Sequence, residues 1–99
     1  MTKAYVIAQL TLTNPDRFMS GYMSKVGAVT EAFGGKYLVR GGETSYQEGE
    51  SLGDRTVVIE FPSRDTAHAW ANSEQYQAIV KARTENSTGP VIIIDGVPE

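Results

Sequence analysis

The stretch GGKYLVRGG, Gly34 to Gly42, organises the chain because two glycine pairs bracket a short apolar segment that carries one arginine, Arg40. The first pair follows a long amphipathic pattern, and glycine takes the left-handed conformation that ends a helix without a steric penalty. The segment between the pairs is rich in residues that favour strands. The stretch therefore predicts that one helix ends here and a strand begins.

The residues before this stretch predict a strand and then a helix. Ala4 to Thr13 alternate, with largely apolar side chains on both faces, which is typical of a central strand covered on two sides. Asn14 and Pro15 are a favoured helix cap and a favoured first helical residue. Beyond them, large apolar residues recur every three or four positions, at Phe18, Tyr22, Val26, Val29 and Phe33. This spacing predicts a helix that packs one face on a sheet.

The residues after the stretch predict an arm, a strand, a bent helix and a final strand. Positions 41–54 are rich in glycine and acidic residues without periodicity, as in an exposed arm. Asp54 to Phe61 alternates as a strand that Pro62 ends. Ser63 and Ser73 are both helix caps, so we expect two helical pieces with a bend near Asn72. A polar turn, 86–90, precedes a buried strand, 91–94.

The order is therefore βαββαβ, the ferredoxin-like pattern of an α+β fold in a single domain, residues 1–99. It predicts a four-stranded antiparallel sheet with both helices on one face. The other face is too apolar for water, and we expect a second copy of the chain to cover it about a two-fold axis.

Composition excludes several classes of function. The 99 residues include 9 basic and 12 acidic side chains, so the net charge of −3 argues against a nucleic-acid partner. There is no cysteine and only one histidine, so we expect no disulfide, no metal site and no cofactor. The first residues lack a signal-peptide pattern, and no apolar run is long enough to cross a bilayer. We expect a cytoplasmic protein without membrane association.

Several phrases occur in order along nearly the whole chain: GGKYLVRGG, VVIEFPS, AHAWANSEQYQ, then Arg83 and VIIIDG. Together they resemble the domain-of-unknown-function 1330 family, within the dimeric α/β-barrel superfamily. The resemblance implies a homodimer whose two sheets form a barrel, with a small pocket in each subunit. It implies no reaction, because that family has no established activity.

Families related to it include cofactor-independent monooxygenases of aromatic polyketides, muconolactone isomerase and haem-binding chlorite dismutases. None of their catalytic residues carries over position by position. His68 is not placed as a haem ligand, and it lies off the apolar stripe of its helix, so the haem branch is disfavoured.

Two charged strand residues are candidates for a site. Arg40 is expected to bind an anionic group, or else to reach solvent or pair structurally with Glu60 on the neighbouring strand. Glu60 is the better candidate for a general base, because burial would raise the pKa of its carboxyl group and a nearby arginine would lower it. Asp16 is best explained as a helix-start carboxylate.

The remaining candidates lie on helices. Arg83 shares a face with Tyr76 and apolar residues, so it either extends to the edge of the core or binds an anion. Tyr22, Trp70 and Tyr76 either fill the core or line a pocket, where a tyrosine hydroxyl would donate to an oxyanion.

Three hypotheses follow. The first is a cofactor-independent enzyme acting on a small anionic or aromatic metabolite, with Tyr22 and Glu60 as its catalytic residues and Arg40, Arg83, Trp70 and Tyr76 as its ligand-binding residues. The second is a dimer that binds a similar ligand without turnover. The third is a purely structural dimer with an internal Arg40–Glu60 ion pair.

Overall fold

The computed structural model describes residues 2–99. A single sheet and a single layer of helices contain about two-thirds of them. In chain order the elements are β1 Ala4–Leu12, α1 Pro15–Phe18, a π-helical turn Met19–Met23, α2 Ser24–Ala32, β2 Lys36–Arg40, β3 Arg55–Phe61, α3 Arg64–Asn72, α4 Glu74–Gln77, α5 Val80–Thr84, β4 Ser87–Thr88 and β5 Val91–Asp95. No helix among the described residues is both long and apolar enough to cross a membrane.

The sheet is antiparallel and has β1 at its centre. β1 pairs with β3, and β3 pairs with β2 at one edge. On its other side β1 pairs first with β5 and then, further along, with the two-residue β4. The ferredoxin-like prediction is confirmed, with one addition: β4 lies in the segment that we expected to be only a polar turn.

The helix boundaries follow the capping signals in the sequence. The Asn14 side chain accepts a hydrogen bond from the Arg17 backbone, and Gly34 follows the helix with φ of 80°. Ser63 forms a capping box with Thr66, and Ser73 caps a separate short helix, as the two serines predicted. The first helical segment runs without a break from α1 to α2, but its middle is the π turn.

The core lies between the helices and one face of the sheet. Alternate residues of β1 and β3 supply the sheet side, and both helical segments supply the other. The fully or nearly buried side chains include Val6, Leu10, Phe18, Val26, Ile59, Phe61 and Trp70. Because side chains of a strand alternate between faces, the intervening residues point to the opposite, outer face.

Within residues 2–99 the outer face carries no helix. The described part of the chain extends 37 × 36 × 16 Å, so it is a slab only two layers thick. Leu38, Ile92 and Ile94 are 47%, 47% and 48% exposed. The arm, residues 41–54, is exposed along most of its length, but Leu52 lines a shallow groove on this face with Ile7 and Ile92.

The expected Arg40–Glu60 pair does not form. In the antiparallel pairing of β2 and β3, Glu60 lies opposite Lys36, whereas Arg40 lies opposite Val57 at the far end of β2. Glu60 instead pairs with Lys3, the residue just before β1, with 3.5 Å between Lys3 Nζ and Glu60 Oε1. The internal ion pair of the third hypothesis was therefore wrong, because strand direction separates its two members.

Candidate functional site

A narrow cavity lies between the helix-facing side of the sheet and the helices. The volume that the centre of a water molecule can reach inside it is about 30 Å³, enough for one or two water molecules. Most of its lining is aliphatic or aromatic. The side chains with polar atoms are Tyr22, Tyr37, Arg55, Trp70, Tyr76 and Arg83.

Two tyrosines from different helices meet at this cavity. The hydroxyl oxygens of Tyr22 and Tyr76 are 2.8 Å apart, and both side chains are buried. Tyr22 belongs to the π turn and Tyr76 to α4, so the hydrogen bond joins the first helical segment to the second. Burial, followed by the effects of Tyr76, raises the pKa of Tyr22 well above its ordinary range, while Arg83 acts in the opposite direction. The phenol of Tyr22 therefore keeps its proton at neutral pH.

Trp70 on α3 extends this aromatic group toward the sheet. Its ring centroid lies 4.2 Å from that of Tyr76 and 5.4 Å from that of Phe61. The side chain is 2% exposed, and its Nε1 has no hydrogen-bond partner among residues 2–99. A buried donor without a partner is uncommon and costs free energy. The indole N–H is therefore an unsatisfied polar group in the wall of the cavity.

Arg83 brings a positive charge to the same place. It lies on the short helix α5, which follows the break at Ile79. Its Nε is buried and has no hydrogen-bond partner in the described chain, and no carboxylate there lies within ion-pair distance of its guanidinium group. A guanidinium that is partly removed from water without a counter-ion favours a bound anion.

Arg55, at the start of β3, is a second arginine in the lining. It lies opposite Leu10, on the helix-facing side of the sheet, and it is only partly exposed. It also forms no ion pair with any described residue. Arg55 and Arg83 thus line one cavity from opposite layers, the sheet and the helices.

Four of the six predicted site residues come together here: Tyr22, Trp70, Tyr76 and Arg83. The other two lie elsewhere. Arg40 is exposed at the end of β2, where its guanidinium carbon is 4.7 Å from the ring centroid of Tyr37. Glu60 lies on the outer face beside Lys3. The structure therefore does not bring Arg40 or Glu60 into the cavity.

Arg55 and Tyr37 also line the cavity but were not among the residues predicted from the sequence. The signal for Arg55 was present, because it shares the alternation of Val57, Ile59 and Phe61 along the same strand. Tyr37 was harder to place because a bulge at Leu38 shifts the pairing between Tyr37 and Val39. Its hydroxyl oxygen lies 3.3 Å from Thr30 Oγ1, which fixes the ring against α2.

The lining limits the chemistry that this cavity can support. Among the described residues it includes no carboxylate and no imidazole, which are the usual general bases at neutral pH. Its ionisable groups are arginines and tyrosines, which donate hydrogen bonds and stabilise negative charge. No cluster of potential metal ligands occurs in residues 2–99. The arrangement is suited to holding an oxyanion.

The chain belongs to the family described as Domain of unknown function (DUF1330), whose model matches residues 3–97. No curated protein matches the sequence. Solved structures with the same fold include a protein of unknown function from Rhodopseudomonas palustris, which is 19% identical with a TM-score of 0.71 over 99% of this chain and 83% of that one.

Two further structures share the fold. One is SnoaB, a cofactor-independent oxygenase from Streptomyces nogalater, at 13% identity and a TM-score of 0.61, with 100% of this chain and 97% of that chain covered. The other, from Caulobacter crescentus, is described as a candidate antibiotic biosynthesis monooxygenase, at 19% identity and a TM-score of 0.64 over 99% and 92% of the two chains. At these identities the likeness establishes the fold alone.

Proposed function

We propose that this protein binds a small anionic or aromatic metabolite in the cavity and stabilises negative charge on it. The observation that carries the proposal is the presence of Arg55 and Arg83, neither of them ion-paired within the described chain, in a mostly apolar cavity beside two buried phenols. An anion there would gain charge-assisted hydrogen bonds in surroundings that screen charge poorly.

In this proposal the reactive form of the ligand is a carboxylate, enolate or phenolate. The arginines would lower the pKa of a bound acidic group, because they favour its ionised form. Tyr22 and Tyr76 would donate to the developing oxyanion, and Trp70 would form the wall against an aromatic ring. Since the lining supplies no carboxylate or imidazole base among residues 2–99, the ligand must ionise readily by itself or arrive ionised. Arg40 and Glu60 have no role in the binding site proposed here.

We propose turnover without a cofactor as the first candidate function. It is supported by the oxyanion-stabilising lining and by the fold shared with SnoaB, a cofactor-independent oxygenase. A second candidate, ligand binding without reaction, is favoured by a specific observation: the described lining lacks a carboxylate or imidazole to move a proton. Both candidate functions use the same arginines, Arg55 and Arg83. For either function, we propose that the protein acts in the cytoplasm.

The size of the cavity adds a requirement. A volume of about 30 Å³ holds no aromatic ring unless the wall moves. The wall on the helix side includes α4 and α5, which are short pieces separated by breaks at Ser73 and Ile79. Short helices joined by breaks are the segments that open at least cost. We therefore propose that larger ligands enter by displacement of α4 and α5.

We also propose that the protein is a homodimer whose outer sheet faces pack together. The support is the row of apolar side chains on that face, Val39, Ile92 and Ile94 among them, exposed in the single chain. A face of this kind is typical of an interface rather than of a surface in contact with water.

The proposed site is tested by thermal unfolding with formate, benzoate and 4-hydroxybenzoate, and with a neutral lactone for comparison. An anion at about 100 times its dissociation constant stabilises the fold by about 2.7 kcal/mol, which raises Tm by several degrees. We expect Arg83→Met to lose this rise and Arg17→Met, which removes an exposed arginine, to keep it. No rise with any anion, or the same rise in Arg83→Met, would contradict the proposal.

The same samples separate the two candidate functions. For any anion that binds, its absorbance and the dissolved oxygen are followed over time with the purified protein. Consumption of the anion that depends on Arg83 supports an enzyme, whereas binding without consumption supports the second candidate.

A further inference from the structure

The polar groups around the cavity are nearly all hydrogen-bond donors. The Trp70 indole and the guanidinium groups of Arg55 and Arg83 can donate but cannot accept. Trp70 Nε1 and Arg83 Nε are both buried without a protein partner in residues 2–99. Both side chains line the cavity, so two residues of its wall, one on α3 and one on α5, each carry a buried donor without a partner in the described chain.

Few acceptors are available to balance these donors. The side-chain acceptors in the lining are hydroxyl oxygens, and those of Tyr22 and Tyr76 already share a hydrogen bond. One of these two hydroxyl hydrogens is used between them, so the other is free to donate as well. A ligand with an ammonium or amide N–H would add donors to a site that already has too many.

We propose that Trp70 is a specificity-determining residue that, together with Arg83, selects a ligand whose polar head only accepts hydrogen bonds, such as a carboxylate, a phenolate or a ketone. This inference rests on the proposed function and narrows it from small metabolites to acceptor-headed ones. The head group replaces the one or two water molecules for which the cavity has room. The apolar part of the ligand lies against the aliphatic lining.

The proposal separates the role of Trp70 in binding from its role in packing. Trp70→Phe keeps an aromatic ring against Phe61 and Tyr76 but removes the indole N–H. Removing a buried donor that has no partner in residues 2–99 relieves an unfavourable burial, but the smaller ring also leaves a cavity that lowers Tm. The test is therefore the affinity for benzoate, measured at a temperature at which the variant is folded. A purely structural tryptophan would leave that affinity unchanged.

The experiment uses benzoate and benzylamine, which share a ring and differ in the head group. Trp70 is the only tryptophan in the chain, so fluorescence excited selectively from tryptophan reports on this cavity. We expect benzoate to change the fluorescence and benzylamine to leave it unchanged. By calorimetry, Trp70→Phe should bind benzoate at least about tenfold more weakly, the effect of losing a hydrogen bond to a charged group. Tyr46→Phe, which removes the hydroxyl group of an exposed side chain, should bind benzoate as the wild type does.

The outcomes distinguish this inference from the function on which it rests. Weaker benzoate binding by Trp70→Phe, with the variant folded, supports the role of Trp70. Equal binding by Trp70→Phe and the wild type, with binding still lost in Arg83→Met, overturns that role and leaves the anion site in place. Binding of benzylamine as tight as that of benzoate overturns the selectivity. No binding of any probe overturns both proposals.

Discussion

Arg55 and Arg40 are both arginines at the end of a strand, but only Arg55 lines the cavity. Arg55 has the same alternation as the buried residues of β3, and strand geometry therefore carries it to the helix-facing side. Arg40 follows the bulge at Leu38 and, although it lies on the same side, ends beyond the cavity against the ring of Tyr37. The position of Arg40 thus depends on the register of β2 against β3, which the local sequence does not reveal.

A buried phenol gives the first prediction at this scale. The raised pKa of Tyr22 means that the folded protein keeps a proton that the unfolded chain releases near pH 10. The contribution of Tyr22 to the free energy of unfolding is therefore fully present below about pH 10 and is lost as pH rises above that value. We expect the unfolding free energy of the wild type to fall above this pH more steeply than that of Tyr22→Phe, by up to about 1.4 kcal/mol per pH unit.

The measurement is urea unfolding between pH 9 and 11, with Tyr46→Phe as the control for an exposed tyrosine. Since Tyr46 is largely in solvent, its variant should follow the wild-type profile. Parallel profiles for the wild type and Tyr22→Phe would show that the phenol is not shielded in the way described.

At the scale of elements, the π turn Met19–Met23 is the feature that positions Tyr22. The turn contains Gly21, and a Cβ atom built there would lie 2.8 Å from Ala82 Cβ of α5. The first helical segment therefore approaches α5 as closely as it does because position 21 has no side chain. This contact holds Arg83 and Tyr22 on facing helices of the same cavity.

The prediction compares two glycines of the same helical segment. Gly21→Ala should destabilise the protein by about 1–3 kcal/mol, because the added methyl group forces the helices apart. Gly27→Ala, where a Cβ meets nothing within 4 Å, should stabilise it by about 0.5–1 kcal/mol through helix propensity. Urea unfolding measures both. A stabilising Gly21→Ala would show that the close helix contact does not exist in solution.

Most elements were predictable because their signals are local. The caps at Asn14, Ser63 and Ser73 and the helix end at Gly34 each depend on a few neighbouring residues, and the structure places all four as expected. The inward positions of Tyr22, Trp70, Tyr76 and Arg83 were predictable from helical periodicity. The π turn, the bulge and the ends of β2 and β3 were not predictable, because they depend on packing between distant segments. The predicted ion pair between Arg40 and Glu60 was wrong for that reason.

At the scale of the whole molecule, the two faces of the sheet differ in what covers them. Helices cover the inner face of the sheet, while Ile92 and Ile94 of β5 remain about half exposed on the outer face. The formal charge of −3 is too small to prevent association of such surfaces. The proposed homodimer would bury this face and keep the cavity, on the helix side, away from the interface.

The dimer prediction is that the wild type sediments as a dimer at micromolar concentration and that Ile92→Lys sediments as a monomer. In a two-fold interface this substitution buries two unpaired ammonium groups at once, which is strongly unfavourable. Val97→Lys, at a position 86% exposed near the chain end, is the control and should remain dimeric. A monomeric wild type would contradict the barrel arrangement.

The proposed function requires that an anion occupy the cavity between the sheet and the helices. The most direct measurement is a crystal structure with bound 4-bromobenzoate, in which the anomalous signal of bromine locates the ligand. We predict that the carboxylate lies within hydrogen-bond distance of Arg83 and Trp70 Nε1, with α4 and α5 displaced to admit the ring. Bromine only at the protein surface, or an unchanged cavity in crystals grown with saturating ligand, would contradict the account.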